Sequence, residues 1–402
     1  MKEEKPILDG NGEPLKILLI AAHHCIRVVR QGMALINKDY TVWGAGNKQS
    51  FGNAIYKNYF LWHDERQFKN CIKTAIDAGI KIIHYNNEPD RPAIWCREVI
   101  NEMEKQNEVK LIFDWHDVDS IRKSIIPLDE REAVNASDAF VYVSESIKNI
   151  TNKLHSITKP SMVLYNYPTQ SMYNHVDQHL DWNKVYDRKH LVYEGGINPI
   201  GNDPHAVELN KVWRYRNLYP LFMKLIDMGN EVHAFVGNGD ALESGMTTGV
   251  VIHPPTVFDQ MLIEIMKYRY NLLIFNTEED GSQCRQTELT TPNKMWDALC
   301  SGLPSLACYC NETEKYLEKH KIGLTFKSLE DIGDTSSFDD KYEELIENIK
   351  QKRKELVFEN QIIKSENLYA YLLGFEQKHT NKENRKNLIF EYGVDEFIKT
   401  KI

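Results

Sequence analysis

The residues best placed to do chemistry lie late in the chain. Lys294 and Asp297 stand one helical turn apart in the stretch Thr291 to Pro304, which reads as a helix with both ends written in. Thr291 is the expected N-cap, because its hydroxyl can accept a backbone N–H of the first turn. Pro292 then takes the first helical position, where its missing N–H costs nothing. Gly302 suits a left-handed C-terminal turn, and Pro304 stops continuation. A lysine in a first turn is slightly unfavourable against the helix dipole. A bound phosphate reverses that, since helix N-termini offer N–H groups to anions. Lys294 is therefore either a solvated surface lysine or an anion ligand. Asp297 is either an exposed helix carboxylate or an acceptor-only group able to take two hydroxyl donors.

Other candidates fall at the ends of apolar runs. Gly195 and Gly196 follow Leu191-Val192-Tyr193-Glu194; such a pair is a tight turn or a place where backbone approaches a ligand. His116 and Asp117 follow the run Lys110 to Asp114, and His23 and His24 follow Lys16 to Ala22. Asn86 ends a third run, Lys81 to Tyr85. Each histidine is either a local hydrogen-bonding residue or a site residue. Neither His23 nor His24 has a partner at metal-ligand spacing, so no zinc site is expected.

These residues need a frame, and the apolar runs supply it. They alternate with helical stretches and are continuous rather than alternating, the pattern of a parallel sheet covered on both faces. Parallel sheets bind ligands at the carboxyl ends of their strands, which is where the candidates lie. The alternation runs once, pauses over a polar stretch at 170–187 expected to be a linker, and restarts. The fold class is α/β, with two Rossmann-like parallel-sheet domains facing across a cleft. Residues 1–15 are expected to be a flexible tail, 16–180 the first domain and 188–360 the second. Residues 361–402 are expected to form C-terminal helices packing back toward the first domain.

Composition narrows the function classes. The formal balance of 49 basic and 58 acidic residues, −9, argues against nonspecific nucleic-acid binding. No apolar stretch reaches membrane-span length, and the N-terminus lacks a signal core. Seven scattered cysteines fit reduced thiols, so a cytoplasmic setting is expected. The basic run Lys350 to Lys354 is a solvated helix face or a peripheral contact with anionic lipid.

The stretch with Lys294, Asp297, Gly302 and Pro304 resembles the donor-site helix of retaining GT-B glycosyltransferases, the large family four in particular. The resemblance implies sugar transfer from a nucleotide-diphosphate donor, with retention and without a metal or other cofactor. The acceptor stays open among glycan, lipid, protein and nucleic acid. It implies that Gly195, Gly196, Thr291, Pro292, Asn293 and Lys294 lie against the donor, and that Asp297 accepts from ribose. It places Asn238 and Gly239 near the base, with Pro254 and Pro255 lining the same pocket. His116 would face the donor sugar as a catalytic residue beside Lys294, with His23, His24, Asn86 and Asp117 on the acceptor side. The chain departs from the pattern twice. Relatives carry a glutamate where Leu289 stands, leaving Glu288 as the nearby candidate for sugar contact. They also carry basic residues soon after the glycine pair, where Ile197 to Asn202 has none; Lys211, Arg214 and Arg216 are the later candidates. A sugar-nucleotide epimerase or hydrolase and a non-catalytic binder of a glycan or partner are the alternatives.

Overall fold

The computed structural model describes residues 6–48, 52–123, 125–198, 213–236, 249–279, 281 and 283–375. The chain divides into two compact units. The first runs to Thr169 and is rejoined by the chain from Phe358; the second is Gln170–Val357.

The first unit holds a seven-stranded parallel sheet ordered β3-β2-β1-β4-β5-β6-β7. Its strands are β1 (Lys16–Ile20), β2 (Thr41–Gly46), β3 (Tyr59–Leu61), β4 (Ile82–Asn86), β5 (Lys110–Trp115), β6 (Ala139–Tyr142) and β7 (Ser161–Val163). Its helices are α1 (Ile26–Ile36), α2 (Glu65–Asp77), α3 (Arg91–Glu102), α4 (Asp119–Lys123), α5 (Leu128–Ala136) and α6 (Glu145–Leu154). The apolar runs are strands because they are buried on both faces: every residue of β4 and β6 is buried. Ser144 caps α6 as its position implied, accepting from Ile147 N–H at 3.1 Å.

The second unit holds a six-stranded parallel sheet ordered β10-β9-β8-β11-β12-β13. It opens with α7 (Gln170–Asp177) and continues with β8 (Lys189–Glu194), α8 (Tyr219–Asp227), β9 (Val232–Phe235), β10 (Val251–His253), α9 (Phe258–Ile265) and β11 (Tyr268–Ile274). Then come α10 (Arg285–Leu289), α11 (Asn293–Cys300), β12 (Ser305–Cys308), α12 (Asn311–His320), β13 (Gly323–Phe326) and α13 (Asp339–Glu355). The last helix described, α14 (Ile362–Leu373), belongs to the first unit. Ile362, Leu368 and Tyr369 enter its core beside Leu19, Ile82 and Ile112.

Two expectations need correction, and one strand was missed. Residues 6–15 are not a tail: Leu8 bridges Pro14, Asp9 caps the turn by accepting from Asn11 and Glu13 N–H, and Leu15 is fully buried. The polar stretch 170–187 contains α7, whose Met172, Tyr173 and Val176 are buried. Edge strand β3 went unread, because three residues carry no periodicity. The part of the expected C-terminal helices beyond residue 375 lies outside the described residues.

Candidate functional site

In each sheet the chain turns one way from its first strand and then the other. The switch falls between β1 and β4 in the first unit, and between β8 and β11 in the second. Crevices at such points, outside the carboxyl ends of the strands, take ligands in open α/β sheets.

The second switch point gathers the strongest group. Strand β8 ends at Tyr193 and Glu194, and Gly195 follows at φ +125°, a backbone that other residues adopt only under strain. A β-carbon there would come 3.4 Å from the Lys294 ammonium. Lys294 donates to the Tyr193 hydroxyl at 2.7 Å, and that hydroxyl donates to the Gly196 carbonyl at 3.0 Å. The ammonium lies 4.0 Å from the Tyr193 ring centroid and 5.2 Å from that of Phe275, within cation–π range. Burial lowers its pKa to about 8; Glu194 opposes the shift and Arg216 adds to it.

Arg216 supplies the cation absent from the loop after Gly196. A β-carbon on Gly196 would meet its guanidinium at 3.6 Å. The turn carrying Arg216 is fixed from two sides. Asn198 donates its backbone N–H to Arg216 O and its side chain to Trp213 O, both at 2.9 Å. Asn276, just past β11, donates to Tyr215 O and Asn217 O. Arg214 is turned elsewhere, onto Thr277 O at 2.8 Å and Glu279 at 3.5 Å. Lys211, Asn238 and Gly239 lie outside the described residues.

The helix carrying Lys294 differs in detail from its sequence reading. Pro292 itself is the N-cap, with extended ψ of 154°, and Thr291 is buried one residue earlier. Proline's fixed φ suits a cap as well as a first helical position, so the frame moves by one. Pro292 makes no side-chain cap hydrogen bond, and Asn293 stands exposed. The C-terminus is as expected: Gly302 has φ +69°, and Gly302 and Leu303 donate to Leu299 O and Ala298 O, the Schellman pattern. Asp297 is 2 % exposed, within a run from Met295 to Cys300 that is buried throughout. Glu288 is half-buried on α10 and paired with Arg285 at 2.6 Å. Pro254 and Pro255 are exposed.

At the first switch point, the sequence candidates separate into inward and outward groups. His24 is fully buried, its ring nitrogens on Tyr56 Oη at 3.1 Å and Ala45 O at 2.9 Å. Burial lowers its pKa to about 4, so it packs as a neutral ring. Asn86 is likewise buried, aimed at Ile20 O. Both are corrected from acceptor-side to structural residues: β4 extends through Asn86 and puts its side chain inside. His23 is exposed. His116 and Asp117 are half-buried and form one turn, held by a residue outside the candidate set. Asn87 Oδ1 accepts the N–H of His116 at 3.1 Å and of Asp117 at 3.3 Å. The signal for Asn87 was present, an amide directly after a strand, but Asn86 shared it. Arg122 faces Asp117 at 3.6 Å.

No protein-family model matches the sequence, and comparison with curated proteins finds no similar sequence. Solved structures do match. A glycosyltransferase from Rickettsia africae ESF-5 superposes with a TM-score of 0.61 at 9% identity, over 89% of this chain and 98% of that one. Anabaena HepE in complex with UDP gives 0.59 at 11%, over 89% and 100%. A Listeria monocytogenes structure named as a putative UDP-N-acetylglucosamine 2-epimerase gives 0.54 at 8%, over 91% and 99%. The fold is therefore of the GT-B type, with two parallel-sheet Rossmann-like domains. Among the described residues, no helix is long and apolar enough to cross a membrane.

Proposed function

We propose that the chain is a glycosyltransferase that moves a sugar from a nucleoside-diphosphate donor, a uridine diphosphate sugar first among those to test. The observation that carries this reading is the pairing of Lys294 and Arg216 across the Gly195–Gly196 turn, at the second switch point. Two cations beside side-chain-free backbone suit a diphosphate. They stabilise it most as its negative charge grows on bond cleavage, which is electrostatic catalysis. With two fixed cations for the leaving group, the transfer is proposed to proceed without a metal; retention is proposed from the sequence resemblance alone. His116, set by Asn87 and beside Asp117 at 3.8 Å, is proposed to serve the transfer step. At the level of fold, the structure of HepE with UDP supports the choice of donor class, and that of the Rickettsia glycosyltransferase supports sugar transfer.

The sequence grounds for a non-catalytic binder were the broken two-glutamate motif, with Leu289 in place of the glutamate, and the missing basic residue after Gly196; Arg216, beside Gly196, speaks against the second. The epimerase reading shares the fold and is separated by incubating nucleotide-sugar without acceptor. The deciding experiment is melting of the purified chain with uridine diphosphate. Saturating ligand at about 100 times Kd stabilises by about 2.7 kcal/mol, so a clear rise is expected. The rise should shrink markedly in Lys294→Met. A wild-type melting point unmoved by any nucleoside diphosphate sinks the proposal.

A further inference from the structure

We propose that His233, His253 and Tyr268 form a binding site for one divalent transition-metal ion, separate from the residues of the sugar-transfer reading. Three donor atoms close a nearly equilateral triangle. His233 Nδ1 lies 2.9 Å from His253 Nε2, and the Tyr268 hydroxyl lies 3.1 Å from the first and 3.0 Å from the second. An ion about 2.1 Å from donors at right angles sets them about 3.0 Å apart, whereas tetrahedral ligands spread to about 3.4 Å. The triangle therefore has the size of one face of an octahedral or tetragonal site, which suits Cu2+ or Ni2+. Among the described residues, no three His, Cys, Asp or Glu side chains converge as a metal set; here a phenol oxygen is the third donor.

Hydrogen counting favours an ion over a purely hydrogen-bonded cluster. Glu231 Oε1 lies 2.8 Å from His233 Nε2; in a neutral ring whose proton faces that carboxylate, Nδ1 is a bare lone pair. The triangle then contains at most two hydrogens, one on His253 and one on Tyr268, for three edges. At least one edge near 3 Å has no hydrogen of its own. A cation in front of the triangle removes that repulsion. A carboxylate behind a ligating imidazole is also the usual outer partner of a metal-binding histidine.

The backbone is shaped to the cluster. His190 sits 3.5 Å from Glu231 and adopts φ +64°, a conformation that costs a non-glycine residue. The register between β8 and β11 pairs Tyr268 with Lys189 and Tyr270 with Leu191, passing over His190.

The test is titration of the full, untagged chain with Cu2+, followed by calorimetry and visible absorption. Wild type should bind one equivalent at micromolar or better affinity and show a phenolate-to-copper charge-transfer band. His233→Ala and His253→Ala should each weaken that equivalent at least tenfold. Tyr268→Phe should abolish the band. Glu231→Gln, a half-exposed change that spares the packing, should weaken binding about 10–100-fold. The exposed His63→Ala should change nothing. Absence of a stoichiometric tight site, or a site equally tight in Glu231→Gln and both alanine variants, overturns the proposal.

Discussion

Lys294 is held charged in a place that disfavours charge. Its ammonium has a phenol oxygen and two aromatic faces for neighbours, and these solvate it less well than water does. Burial is thus the main cause of a pKa near 8, against 10.5 for an ordinary lysine. The folded pKa is the depressed one. Between about 8 and 10.5 the unfolded chain binds more protons, so the free protein gains stability as pH rises through that window. The penalty is present in full below it. A bound diphosphate repays the lost solvation and raises the pKa again. Affinity for uridine diphosphate should therefore be flat below about pH 8 and fall above it, with proton uptake on binding. Calorimetry in buffers of different ionisation enthalpy reads this directly. Lys294→Met should lack the alkaline limb and lower turnover by about 10²–10³-fold; an unchanged pH profile would assign the limb to another group. Lys294 and Gly195 were legible in the sequence because each belongs to a local pattern. Arg216 was only one of three candidates, since its place beside Gly196 depends on the bonds from Asn198 and Asn276. His24 and Asn86 were misread because a polar residue at a strand end looks the same whether it points out or in.

At the scale of elements, the position of Lys294 depends on α11, an eight-residue helix too short to hold itself in water. Packing and its C-terminal lock must do so. Gly302 makes the lock, at φ +69°, and Trp182 and Leu180 leave no room beside it. A β-carbon would lie 3.1 Å from the Trp182 ring and 3.2 Å from Leu180. Gly302→Ala should therefore cost about 1–3 kcal/mol, as a strained left-handed residue does. It should also weaken uridine diphosphate binding, although Gly302 stands eight residues from Lys294. Denaturant midpoints and ligand titration on one preparation check both effects, and a variant as stable as wild type would place the helix stop elsewhere. Long elements were legible for a related reason. Runs such as Lys16–Ile20 and Lys110–Trp115 carry their burial in composition. The edge strand Tyr59–Leu61 and the helix Gln170–Asp177 do not, because tertiary packing rather than local pattern decides them.

At the scale of the whole molecule, the second unit is an excursion of the chain between Thr169 and Phe358. The first unit is closed where the chain returns. Phe358 N–H donates to Pro168 O at 2.9 Å, and Gln361 bonds both the N–H and the carbonyl of Tyr165. The same unit is pinned at its centre by Asp114 at the end of β5. The Asp114 carboxylate accepts from Arg27 of α1 at 2.9 and 3.1 Å and faces His84 of β4 at 3.0 Å. Arg27 reaches on to Leu164 O, and His84 meets Gln31 and Tyr369 of α14. One carboxylate so joins two strands, the first helix and the last. Burial alone would raise its pKa; the Arg27 charge and the His84 contact reverse this and lower it to about 2. Because the folded value is depressed, the stability it contributes is present above the ordinary value of 3.8 and is lost as pH falls through about 2. Asp114→Asn keeps the shape but leaves the Arg27 charge buried without a counter-ion. Breaking a buried pair in this way costs about 3–5 kcal/mol. Urea unfolding at pH 7 should show that loss, and the gap from wild type should persist to about pH 4 and narrow toward pH 2. A gap that stays constant down to pH 2 would mean that the amide fails through packing, and that the charge of Asp114 does not hold this unit together.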